Sequence, residues 1–146
     1  MIYVDADACP VREEVVRVAE RHGVNVVFVT NGGLRPSRHP LVRIEVVSAG
    51  ADEADKWIAD QAGPGDICVT ADVPLAARCV EAGALVIGHD GEPFSQANIG
   101  ARLAMRDLMA DLRAADPFRQ GGGKPFSKAD RSRFLNALEA SVRKAG

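Results

Sequence analysis

The feature that most constrains this chain is an alternation repeated along its first two thirds. Short runs rich in β-branched residues give way to longer stretches whose apolar residues recur every three or four positions. The runs MIYV (1–4), NVVFVT (25–30), VRIEVV (42–47), ICVT (67–70) and LVIG (85–88) read as strands. Between them, Pro10 suits the first position of a helix, with Glu13 and Glu14 at its positive end. Val11, Val15, Val18 and Ala19 form its apolar stripe, and Gly23 is its stop. DEADKWIADQA (52–62) and PLAARCVEAG (74–83) are also helical. Strands that alternate with helices, several of them apolar throughout, point to a parallel sheet covered on both faces. The expected fold is therefore α/β, with a mainly parallel five-stranded sheet. The link NGGLRPSRHPL between the second and third strands holds no helix, and a return to a parallel third strand is preferred to an antiparallel pair.

Two further helices are expected to close the chain. The first spans 95–115, with Ser95 as N-cap and Ile99, Leu103, Met109 and Leu112 facing the core. The second spans 127–145, opened by a capping box of Ser127 and Asp130. The glycine-rich segment DPFRQGGGKPF between them is a loop. With 146 residues the expectation is one domain over 1–146, carrying a basic loop and helix at 117–146. No apolar stretch approaches the roughly 20 residues of a membrane span. The N-terminus has no signal-peptide pattern, so a cytoplasmic location is expected. Cys9, Cys68 and Cys79 are odd in number and widely spaced, which fits free thiols in a reducing compartment.

In such sheets ligands bind beyond the carboxyl ends of the strands, where the strand order reverses. Asp5 and Asp7 follow the first strand, Asp52 and Asp55 the third, Asp72 the fourth and Asp90 the fifth. If the strands are parallel, all of these acids share one rim, while Asp66 precedes its strand and belongs on the opposite one. An acid at a strand end is often only the cap of the next helix. Several on one rim repel one another unless a cation sits among them. Oxygen ligands without histidine or thiolate favour Mg²⁺ or Mn²⁺ over zinc. Such ions activate water and stabilise the leaving oxygen in phosphodiester cleavage.

Charge supplies the complementary surface. Residues 117–146 hold seven Lys/Arg against two Asp/Glu, whereas residues 1–116 hold eleven against eighteen. Arg35 and Arg38 on the 31–41 loop, with Lys124, Lys128 and Arg131 in the tail, are candidate phosphate contacts. The chain holds one Trp, one Tyr and five Phe, few for base stacking, so sequence-specific single-strand readout is not indicated.

DADACP, GADEADKWI and GDICVTADVPLA, with NIGARLAMRDLMADLR and KPFSKADRSRFLNAL, resemble the bacterial YaiI/YqxD family across essentially the whole chain. The acidic pattern is also similar to PIN/NYN-like nucleases, whose carboxylates hold divalent metal for hydrolysis of RNA or DNA. That similarity implies a three-layer PIN-like, flavodoxin-like fold. It matches Asp5 to the acid ending the first strand, Asp52 or Asp55 to the acid opening a central helix, and Asp72 to the acid of a T-x-D motif. Asp7 is an extra acid beside the first, and Asp90 is the candidate for the fourth. Asp5 and Asp72 are thus the expected catalytic pair. Mg²⁺ or Mn²⁺ is the expected cofactor and nucleic acid, RNA first, the expected partner. No membrane partner is expected, and a homodimer is left open.

Two alternatives share parts of this pattern. Asp5-x-Asp7 also resembles haloacid-dehalogenase phosphatases, but Cys9 stands where Thr or Ser is expected, and Asp66 and Asp72 fall on opposite rims. A protein that binds nucleic acid without cutting it would carry the same basic residues but gain nothing from the carboxylates. Cys9 lacks the arginine of a C-x5-R phosphatase loop, since position 15 is Val15, and reads as a small buried residue. His22 reads as a helix end and His89 as a surface loop residue.

Overall fold

A computed structural model of the chain describes residues 1–7, 9–34, 38–50, 52–115 and 126–145. Strands β1 (Ile2–Asp5), β2 (Val26–Thr30), β3 (Val42–Val46), β4 (Ile67–Val69), β5 (Leu85–Ile87) and β6 (Pro93–Phe94) form one sheet. Helices are α1 (Arg12–His22), α2 (Glu53–Gln61), α3 (Val73–Glu81), α4 (Ile99–Ala115) and α5 (Lys128–Ala145). The strand order is β3-β2-β1-β4-β5-β6, parallel from β3 to β5, with β6 antiparallel to β5.

The two-residue alternation of each strand sorts the core into two layers. Ile2 and Val4 of β1 face α1 and α5, where Val15, Val18, Phe134 and Leu138 are fully buried. Tyr3 faces the other way, toward Ile58 of α2 and Leu75 and Cys79 of α3, and meets Trp57 edge-on at 5.9 Å. Helices therefore cover both faces, as the apolar strands require. The α1 stripe is buried as its spacing predicts, and Gly23 ends the helix in a left-handed conformation (φ 66°), its amide bonded to the Ala19 carbonyl.

Four expectations change. The sheet has six strands, because Pro93 and Phe94 add a short antiparallel edge too brief to leave a periodic pattern. α1 begins at Arg12 rather than Pro10, whose carbonyl accepts from Arg131 instead of opening the helix. α4 begins at Ile99 rather than Ser95: Ser95 and Asn98 bond reciprocally, and the Asn98 amide group donates to the Pro93 carbonyl, tying this turn to β6. The expected core stripe of α4 is only half-buried, since the helix packs on α3 rather than on the sheet, and Met105 and Leu108 are 56% and 51% exposed. The third strand is parallel, as preferred from the sequence. The capping box of α5 is also present: the Ser127 amide donates to Asp130 at 2.9 Å and the Asp130 amide to Ser127 Oγ at 3.1 Å. Among the described residues no helix is long and apolar enough to cross a membrane.

Candidate functional site

The strand order reverses between β1 and β4, so the crevice of this sheet opens beyond their carboxyl ends. Asp5 is the last residue of β1, and its half-buried side chain stands on the α2/α3 side, the side of Tyr3. Asp72 lies across the crevice as the N-cap of α3, its Oδ1 accepting from the Leu75 amide at 3.0 Å. The capping role weighed from the sequence is therefore real for Asp72 and occupies one of its two oxygens. Asp52 holds the corresponding position before α2 but makes no side-chain capping bond, and its carboxylate is exposed. Asp55 lies in the first turn of α2 and is half-buried.

Thr70 joins the two sides. Its hydroxyl donates to Asp5 Oδ2 at 3.2 Å and accepts from the Asp72 amide at 3.0 Å. Thr30, ending β2 on the other flank of β1, donates to Asp7 Oδ1 at 2.7 Å, and the Asn31 amide donates to Asp7 Oδ2 at 3.2 Å. Among the described residues, the buried polar side chains are these two threonines. Sequence reasoning missed both, although the signal was available: Thr30 ends β2 and Thr70 directly follows β4, the two strands that flank β1.

The electrostatics of this corner are one-sided. Burial pushes the Asp55 carboxyl up to about 6, helped by the negative charges of Asp72, Asp5 and Asp52 and by a hydrogen bond with Asp72. The Asp5 carboxyl is also raised, chiefly by burial and further by Asp72 and Asp7, against the lowering effect of the Thr70 hydroxyl. Asp5, Asp7, Asp52, Asp55 and Asp72 thus form one interacting set of acids. Asp90 is used differently: its Oδ1 accepts from the Glu92 amide at 3.0 Å, closing the turn between β5 and β6. Asp66 is at the opposite end of the sheet, 3.6 Å from the N-terminal amine and accepting from the Gly63 amide.

These donors are all hard carboxylate oxygens, the chemistry of a Mg²⁺ or Mn²⁺ site rather than a zinc site. Among the described residues no group of three or more His, Cys, Asp or Glu side chains is placed to hold a metal ion.

The basic candidates divide. Arg35 and Lys124 lie outside the described residues. Arg38 and Lys128 are exposed, Lys128 at the start of α5. Arg131 is committed within the chain: it donates to the Pro10 carbonyl, pairs with Glu14 at 3.2 Å and lies over the Phe126 ring. Both polar partners use Nη1, and the side chain is 44% exposed. Cys9 is buried and burial raises its thiol pKa, which makes it a poor nucleophile. His89, expected at the surface, is half-buried, and burial lowers its imidazole pKa. His22 ends α1 as expected and bonds Glu139 of α5 at 2.6 Å.

No solved structure matches the chain. A UPF0178 protein of Roseobacter denitrificans is 65% identical over 144 residues, covering 99% of this chain and 95% of the relative. UPF0178 proteins of Parvibaculum lavamentivorans and Rhizobium etli are 61% and 57% identical, each over at least 97% of this chain and 92% of the relative. The family model DUF188, described as the uncharacterised YaiI/YqxD family, matches residues 3–144. The corner of acids around β1 therefore sits in a chain that belongs to the YaiI/YqxD (UPF0178) family.

Proposed function

We propose that this protein is a divalent-metal-dependent nuclease that hydrolyses phosphodiester bonds, with RNA as the first candidate substrate. One observation carries the reading: the charges acting on Asp55 come from Asp72, Asp5 and Asp52, all negative, at the crevice where ligands of such sheets bind. Mutual repulsion of this kind is unfavourable unless a cation joins the acids. Bound there, Mg²⁺ or Mn²⁺ would supply an activated water and charge stabilisation for the leaving oxygen.

The chain's own residues prepare that chemistry. Thr70 and Thr30 orient the Asp5 and Asp7 carboxylates, while Asp72 caps α3 through Oδ1 and hydrogen-bonds Asp55, a bond that ends when Asp55 loses its proton. Asp55, its carboxyl raised to about 6, is the acid that must lose its proton before a cation enters, a loss largely complete at neutral pH. Lys128 is the described candidate to hold the substrate backbone, since it opens α5 at the end that reaches Pro10 and Glu14; Arg38 instead adjoins His39 at the start of β3, on the rim opposite the acids. A PIN-like relationship is part of this proposal, supported by the parallel β3-β2-β1-β4-β5 order and the position of Asp5, Asp55 and Asp72. A haloacid-dehalogenase-like phosphatase would need Asp66 beside Asp5, and Asp66 instead accompanies the N-terminal amine.

The test is Mn²⁺ binding by calorimetry on the wild type and on Asp5→Asn/Asp72→Asn, followed by RNA and DNA cleavage assays. Binding and Mn²⁺-dependent cleavage that both vanish in the variant are expected. Cleavage that survives the double substitution would overturn the reading. Nucleic-acid binding with no cleavage by the wild type would favour a non-catalytic binding protein.

A further inference from the structure

The outer edge of β3 carries a sequence that is its own complement. β3 is the terminal strand of the sheet, and among the described residues no strand pairs with its far side. The Val47 amide donates to the Thr30 carbonyl at 2.9 Å, and the Leu41 carbonyl accepts from the Val26 amide at 2.8 Å. Residues 41, 43, 45 and 47 therefore direct their backbone groups toward β2. By the two-residue period of a strand, those of Ile44 and Val46 point outward. The Val42 amide is already used by the His39 carbonyl at 3.1 Å.

The side chains alternate in the same way. Val42 and Ile44 pack at the margin of the α1/α5 core layer, and Val46, of the same parity, is 63% exposed. Arg43 and Glu45 stand on the opposite face, in register with Val27 and Val29 of β2. Reading Val42-Arg43-Ile44-Glu45-Val46 against a reversed copy centred on Ile44 sets Val42 against Val46, Ile44 against Ile44 and Arg43 against Glu45. Every cross-strand pair is then apolar with apolar or cation with anion. A two-fold axis normal to the sheet keeps each residue on the same face in both copies, which is the isologous geometry of the commonest dimers. Arg43 and the partner's Glu45 fall at a position without backbone bonds, where facing side chains approach most closely. An uncovered edge with an exposed valine is otherwise a liability, and neither Pro nor a lysine guards it.

We propose that β3 is the dimerisation edge of this protein, pairing antiparallel with β3 of a second copy about Ile44 to make one continuous sheet. The two crevices then open in opposite directions from the joined sheet, so each subunit keeps its own set of acids. The proposal does not depend on the nuclease reading.

Sedimentation velocity of the full-length chain, from low to high micromolar concentration, tests it. The wild type should dimerise. Arg43→Glu and Glu45→Arg should each weaken the dimer roughly tenfold or more, because each sets like charges opposite in two symmetry-related pairs. The double variant Arg43→Glu/Glu45→Arg restores both pairs in reverse and should recover the dimer; circular dichroism confirms that all variants are folded. A wild type that stays monomeric throughout overturns the proposal. So does a dimer indifferent to both single reversals, which would move the interface elsewhere, to the exposed Met105 and Leu108 of α4 for instance. Single variants that weaken the dimer without rescue in the double variant would overturn the register about Ile44.

Discussion

Thr70 holds the crevice together with one hydroxyl that donates to Asp5 and accepts from the Asp72 amide. Thr70→Val keeps the shape and removes both bonds in a buried setting, which should cost about 1–3 kcal/mol. Urea denaturation measures it. The loss should also raise the Asp5 carboxyl further, because the lowering bond is gone. Asp55 makes a second prediction, in pH. Its carboxyl moves from an ordinary 3.8 to about 6 on folding, so the folded chain binds the proton more tightly than the unfolded one. The stability this contributes is complete below about 3.8 and is lost as pH rises through about 6. Metal-free protein should therefore lose stability over that window, and Asp55→Asn should flatten the decline in denaturation curves taken across it. A slope unchanged in the variant would place the proton elsewhere.

At the scale of the elements, the last helix is tied to α1 and the turn before it at several points. Arg21 and His22 of α1 both pair with Glu139 of α5, and Arg131 reaches back to Pro10 and Glu14. The turn after β5 is built to let α5 come close: Gly91 has φ 86°, and a Cβ there would meet the Arg133 backbone at 2.7 Å. Gly91→Ala should cost about 2–4 kcal/mol, combining backbone strain with overpacking, and thermal unfolding checks it. Much of this level was legible in the sequence. The five parallel strands, the α1 stripe, the Gly23 stop and the Ser127–Asp130 box follow from local periodicity and capping chemistry. β6 was not legible, because two residues carry no period, and the start of α4 was displaced by a turn whose partner, Pro93, lies on that strand. Ile99, Leu103, Met109 and Leu112 illustrate the limit of a helical stripe: periodicity marks an apolar face without saying how fully it is covered, and these four are only half-buried.

For the molecule as a whole, the corner of acids draws on residues far apart in the chain, Asp5, Thr30, Asp55 and Thr70 among them, and exists only when the sheet is assembled. The sequence sorted the acids onto rims because parallel strands make that sorting topological. It could not say that Arg131 would be drawn into an in-chain tether, which depends on packing between distant segments, whereas the Asp90 turn is a local bond to the Glu92 amide two residues on. A ligand that binds only this assembled corner must stabilise the whole fold. Mg²⁺ or Mn²⁺ should accordingly raise the unfolding temperature at pH 7 and do so much less at pH 5, where Asp55 keeps its proton. Calorimetric scans with and without chelator read this directly; equal shifts at both pH values would separate cation binding from Asp55. The uncapped start of α2 has its own consequence. Asp5 and Asp7 are braced by hydroxyls of neighbouring strands and Asp72 by its own helix, so they behave as a fixed jaw. Asp52 makes no such bond, so on the metal-dependent reading proposed above it can turn to a cation without giving up a hydrogen bond to its own helix.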